Sequence, residues 1–212
     1  MSRNYDLAPS WRILCARTRA ELRWVTIIVG AIRVSDADDP AVLSSVVSDM
    51  VEEFRLRWLG MTRGRALPGL IWRGVIELEL HRDIPPGSHR HALLEDLGCD
   101  TCPLEATERV VVVHTHLVAV LPEAVEADDL RGHLASVWPG RWRTQVKGLR
   151  SDQTVEEAVT ALCGYCHKHR LQYASGGLNS ETVVFGDSYG KRWGGFVEGL
   201  YTGVEREFRS KR

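Results

Sequence analysis

His114 and His116 stand one residue apart inside the run Val113-His-Thr-His-Leu-Val-Ala119, a stretch otherwise built of apolar and β-branched residues. Such a run forms a strand, and the two-residue period of a strand points both imidazoles to one face, where they can grip a single metal ion. A second run, Leu70-Ile-Trp-Arg-Gly-Val-Ile-Glu-Leu-Glu-Leu80, alternates Glu77 and Glu79 with Ile76, Leu78 and Leu80, so its two carboxylates also share a face. If the strands pair antiparallel, either Glu77 or Glu79 can complete a three-ligand site. Two imidazoles and a carboxylate suit Mn²⁺, Mg²⁺ or Zn²⁺, and ligand type alone does not choose among them. As plain packing the pattern is hard to account for, because buried charge without a partner is expensive.

A second group of reactive residues lies in Leu162-Cys-Gly-Tyr-Cys-His-Lys-His169. On a helix, Tyr165 and Lys168 are three apart and share a face. A cation beside a phenol favours the phenolate, which makes Tyr165 a better nucleophile. The same segment holds Cys163 and Cys166, and Cys99 and Cys102 repeat the spacing upstream. The four thiolates have the pairwise spacing of a structural zinc site that would pin residues near 100 onto the tyrosine helix, the alternative being four ordinary reduced thiols. With Cys15 the cysteines number five, an odd count that argues against a disulfide framework.

The elements that must position these groups follow from the patterning. The chain has 212 residues, 44% hydrophobic and 26% charged, the composition of an ordinary globular domain with one main core. Its formal net charge of −1 provides no global basic field, so any contact with nucleic acid must be local. The longest apolar run falls short of the roughly 20 residues that span a bilayer. The N-terminal segment lacks an uninterrupted apolar stretch with a cleavage signal, and a cytoplasmic protein is expected. Trp24–Arg33 reads as a buried first strand. A helix over 40–59 follows from Val42, Val46, Val47, Met50, Val51, Phe54 and Trp58 at three- and four-residue spacing. Residues 70–80 and 109–122 form the two site strands, and 81–108 form a long connection without clear periodicity. A short helix over 128–137, a strand over 142–149 and a helix over 154–169, capped by Ser151 and Asp152, complete the series. This order predicts an α+β protein with a central antiparallel sheet and helices against one face, a ferredoxin-like or split βαβ architecture.

The series of a hydrophobic first strand, Gly74-Val-Ile-Glu77, Val113-His-Thr-His-Leu-Val-Ala119 and Tyr165-Cys-His-Lys168, in that order over residues 22–173, resembles the HUH endonucleases. Among them it is most similar to the rolling-circle replication initiators of plasmids. The resemblance implies a metal-dependent nickase with a single catalytic tyrosine, acting on single-stranded DNA at an origin or hairpin alongside host helicase and polymerase. It implies that His114 and His116 bind the metal, that Glu77 is preferred over Glu79 as the acidic ligand, that Tyr165 attacks and that Lys168 assists it. The domain it implies covers residues 1–173, with an atypical insertion at 81–108 and a Gly/aromatic extension at 174–212. Initiators that hydrolyse DNA at termination carry a glutamate one turn before the tyrosine; Ala161 stands there in this chain. Relaxases and single-strand transposases share the same chemistry, and a metal hydrolase or iron oxygenase using the same three ligands is the reading unrelated to DNA.

Around this centre, Arg63, Arg65 and Arg73 are the expected phosphate contacts. His81, His89, His91 and His133 read as surface residues, and His167 and His169 as solvent-facing helix positions. Trp72, Trp138, Trp142 and Trp193 read as core or rim aromatics, with one or two available to stack on unpaired bases.

Overall fold

A computed structural model describes residues 11–167, apart from Asp36, 64–66, 82–83, 101–103 and 106, together with the backbone of three short strands further on. The side chains of Pro40 and of residues from 165 onward lie outside that description. The elements run α1 (Arg12–Cys15), β1 (Leu22–Ser35), α2 (Pro40–Arg63), β2 (Ile71–His81), α3 (His89–Asp96), β3 (Glu108–Val120), α4 (Ala127–Val137), β4 (Thr144–Gly148), α5 (Val155–His167), β5 (Gln172–Ala174), β6 (Thr182–Val184) and β7 (Glu207–Arg209).

The strand order begins β4-β1-β3-β2, and these four strands pair antiparallel throughout. Because β3 is antiparallel to both neighbours, β1 and β2 run parallel with β3 inserted between them, the split βαβ arrangement expected from the element order. The predicted α+β class with a central antiparallel sheet is therefore what the chain forms. Beyond β2 the sheet continues: β5 pairs parallel with Leu80 and His81, β6 pairs with β5, and β7 pairs antiparallel with Arg73, Gly74 and Val75. The expected boundary at residue 173 thus falls inside β5.

Helices cover both faces of the sheet, where one face was expected. Alternation along β3 sends Val111, Val113, Leu117 and Ala119 into the larger core, where they meet Val47, Val51, Phe54 and Trp58 of α2 and Leu130 and Leu134 of α4. The opposite face of β2 and β3 is also apolar at both ends. Val75, Val118 and Val120 pack with Trp11 and Leu14 near α1 and with Ala158, Val159 and Cys163 of α5. Val110 and Val112 pack with Leu94 of α3 and with Cys99. A strand apolar in both registers must be covered on both sides. His114 and His116 lie between these two smaller clusters.

Local chemistry explains the element ends. α2 starts where the Ala41 amide donates to Asp39 Oδ1 at 2.8 Å, and runs on to Arg63, four residues past the predicted end. The cap of α5 is Thr154 rather than Ser151 or Asp152. The Glu157 amide donates to Thr154 Oγ1 at 3.1 Å and the Thr154 amide to Glu157 Oε2 at 2.7 Å, a reciprocal box, while Asp152 pairs with Arg150. The connection 81–108 contains α3, capped by Ser88, whose hydroxyl accepts from the His91 amide at 3.1 Å, and followed by Gly98 at φ +73°. β4 begins at Thr144, so Trp142 lies in the preceding turn and not in the strand, after Gly140 at φ +131°.

In β1 the register shifts between Ile28 and Gly30, a bulge beside the imidazoles. A Cβ at Gly30 would stand 3.0 Å from Met50 Sδ, so the glycine permits the close approach of α2 there. Among the described residues no helix is long and apolar enough to cross a membrane.

Candidate metal centre

Register decides which carboxylate meets which imidazole. Across β2 and β3, Glu77 pairs with His114 and Val75 with His116, which puts Glu77, His114 and His116 on one face. Glu77 Oε2 lies 3.3 Å from His116 Nε2 and 3.8 Å from His114 Nε2. All three side chains are buried, and their ligand atoms fall within 4.8 Å of one another. Two atoms each about 2.1 Å from one ion lie roughly 3 to 3.5 Å apart, so a small closure of this set would let it hold a divalent cation. His114 Nε2 is buried with no hydrogen-bond partner, a state a buried polar atom seldom keeps unless something occupies its lone pair. One carboxylate and two imidazoles leave further coordination positions for a substrate or water.

Neighbouring side chains orient the His116 ring. Thr26, the register partner of His116 across β1, brings its hydroxyl to 3.0 Å from His116 Nδ1. If the Nδ1 proton is donated to Thr26 Oγ1, the lone pair of Nε2 faces the Glu77 carboxylate. Trp24 stacks on the His116 ring at 5.1 Å with planes 11° apart, and the two imidazoles meet edge to face at 4.7 Å. Burial, and next the neighbouring His116, push His114 down to about 4 against the pull of Glu77 and Glu79. His114 is therefore a neutral imidazole at neutral pH, the form that can donate its lone pair to a metal.

Glu79 stands at the edge of this group rather than within it. Its Oε2 is 3.9 Å from His114 Nε2 and 3.4 Å from His81 Nε2, and its Oε1 is 3.9 Å from Arg90 of α3. Burial works against its ionised form, but the hydrogen bond and charge of His81, with His114 and Arg90 behind them, outweigh it and hold the carboxyl down at about 2. His81, expected on the surface, is buried at the end of β2, because it continues the period-two row that carries Glu77 and Glu79.

The other expected residues divide. Arg73 is buried, its guanidinium donating to the Trp72 carbonyl at 2.7 Å, and β7 runs alongside its backbone; it is not an open phosphate contact. Arg63 is exposed at the end of α2, the helix that covers the opposite face from the imidazoles. Arg65, Cys102, Lys168 and His169 lie outside the described residues, as do Trp193 and the side chains of Tyr165, Cys166 and His167. Cys99 and Cys163 are both buried, but in separate apolar clusters on either side of the imidazoles, so the structure does not bring these two thiols together. His89 is exposed, and His91 and His133 are half-buried. Trp72 and Trp138 are core residues, as expected.

Sequence reasoning passed over Thr26, Trp24 and Arg90. Thr26 and Trp24 had a signal in their alternation with Val25 and Ile27 on the first strand; Arg90 had none, because its reach depends on how α3 packs. No family model, curated protein or solved structure matches the chain.

Proposed function

We propose that this chain nicks and rejoins single-stranded DNA through a tyrosine nucleophile, in the service of rolling-circle replication of a plasmid or similar element. The observation that carries the proposal is the convergence of Glu77, His114 and His116 in mid-sheet, on the face against which α5 packs. The backbone of Tyr165 belongs to the last turn of α5, two residues beyond Cys163, which shares a cluster with Val75 and Val118 beside the imidazoles.

In this reading Glu77, His114 and His116 hold a divalent metal, Mn²⁺ or Mg²⁺. Bound there, the ion supplies Lewis-acid polarisation of the scissile phosphate and stabilises charge on its oxygens. Tyr165, its phenolate favoured by Lys168, attacks phosphorus in line; a new P–O bond forms as the P–O3′ bond breaks. The phenolic proton leaves and the departing 3′ oxygen takes one up, giving a 5′-phosphotyrosine and a free 3′ hydroxyl for a polymerase. Reversal by a strand's 3′ hydroxyl rejoins the DNA and frees the tyrosine. With Ala161 in place of a second acid, termination falls to another tyrosine, Tyr173 for instance, or to another molecule. A relaxase or single-strand transposase would use the same steps.

The test is covalency. Incubated with Mn²⁺ and a labelled single-stranded oligonucleotide carrying a hairpin, the wild-type chain should yield a denaturation-resistant DNA adduct that Tyr165→Phe and a chelator both abolish. An adduct undiminished in Tyr165→Phe would remove the mechanism. Metal binding with no adduct on any strand would leave Glu77, His114 and His116 to a hydrolase or oxygenase.

A further inference from the structure

Beyond the metal ligands, the same face carries an exposed stack of rings that the mechanism above does not use. Trp142 is 37% exposed, in the turn before β4. His89, in the first turn of α3, stacks on its indole at 4.3 Å with planes 21° apart, and the Arg141 guanidinium lies 4.6 Å from the ring centroid. His89 and Arg141 are themselves exposed.

The stack is rigidly mounted. Arg143, the residue after Trp142, donates from Nε to the Ile28 carbonyl at 3.1 Å and from Nη2 to the Val29 carbonyl at 2.9 Å, both at the bulge of β1. The Ile28 amide returns a bond to the Arg143 carbonyl at 2.8 Å. Ile28 is in turn the register partner of His114, so Arg143, Ile28 and His114 form one row across the sheet. The backbone of Arg143, next to Trp142 in the chain, is therefore two strand spacings, roughly 10 Å, from that of His114. The next residue on α3 after His89 is Arg90, which reaches Glu79 at the rim of the metal centre. α3 thus contributes one residue to the ring stack, His89, and the next, Arg90, to the edge of the metal centre.

We propose that this stack is a docking site for an unpaired base of the single-stranded DNA whose phosphate lies at the metal centre, with Arg141 and Arg90 facing its backbone. The proposal rests on the nucleic-acid reading above and adds to it a subsite built from the turn before β4, with His89 and Arg90 contributed by the 81–108 insertion. The chemistry of the patch selects the occupant. Flat exposed rings with interleaved arginines fit the π-faces of bases and the anionic backbone of a single strand, and a paired duplex keeps those π-faces hidden. In a chain with a net charge near zero, a local cationic and aromatic patch beside a metal centre is where such a strand gains affinity.

The experiment uses the full chain and a short fluorescein-labelled deoxythymidine oligomer, with Trp142→Ala, Trp142→Phe and His89→Ala compared by anisotropy titration. Trp142→Ala should weaken single-strand binding about tenfold, Trp142→Phe should restore most of it, and His89→Ala should fall between. Mn²⁺ affinity, read by electron paramagnetic resonance, should be unchanged in all three, showing that the sheet is intact. If the wild type forms the tyrosine adduct while Trp142→Ala binds the oligomer as tightly as wild type, the platform is overturned and the nickase stands. If the strand binds in a Trp142-dependent way but no adduct forms, the platform stands and the nickase falls.

Discussion

The hydroxyl of Thr26 lies 3.0 Å from Nδ1 of His116, its register partner across β1 and β3. One hydroxyl on a neighbouring strand thus bears on whether His116 presents a lone pair or a proton to Glu77. Thr26→Val should lower Mn²⁺ affinity by about tenfold to a hundredfold with little change in fold. Metal titration followed by electron paramagnetic resonance checks this, and an unchanged affinity would show that Trp24 alone orients the ring.

Glu77 and Glu79 share a face but not a role. Glu77→Gln should cost more than ~100-fold in metal affinity, because it alters the carboxylate placed among the imidazoles, and Glu79→Gln clearly less. Calorimetric titration of both variants with Mn²⁺ separates them; equal losses would make Glu79 a ligand as well.

The metal-free protein should lose stability in mild acid. His114 sits at about 4 when folded, against an ordinary 6.5, so the unfolded chain binds more protons between those values. The contribution is present above about 6.5 and is lost as the pH falls through about 4, roughly 3 kcal/mol in all. Urea midpoints in the presence of chelator, taken across this range, should fall for the wild type and fall less for His114→Gln.

On the opposite face the fold depends on aromatic packing. Trp58 is 1% exposed, meeting Trp72 edge-on at 5.5 Å and lying 6.1 and 6.3 Å from Phe54 and Trp138. Trp58→Ala should cost about 3 to 5 kcal/mol in denaturant unfolding. A loss below about 1 kcal/mol would mean that the neighbouring rings collapse into the space.

What could be read from the sequence, and what could not, follows from the range of the forces involved. The strands holding Glu77, His114 and His116 were legible because period-two alternation is a local property, and it places side chains on faces without knowledge of the partner strand. The choice between Glu77 and Glu79 depends on register, which is a property of two strands together. α3 stayed hidden because its apolar stripe is thin, Leu94 being its one fully buried residue, although Ser88 and Gly98 marked its ends. Arg73 and His81 were misplaced for one reason: polar residues on the second face of a strand read as exposed until helices and further strands cover that face. That cover comes from α1, α3 and α5, while β5 and β7 extend the sheet past β2, and most of these elements are distant in sequence.

β2 bears Glu77 in its middle, and its outer margin is shielded by segments drawn from the far C-terminal part of the chain, with β7 lying against Arg73, Gly74 and Val75. Ending expression at residue 173, where the recognisable motifs stop, would strip that shield and leave the backbone groups that β2 turns toward β7 seeking partners. The shortened product should then self-associate through this bared margin, strand against strand, with the row of Glu77, His114 and His116 intact at the interface of the aggregate.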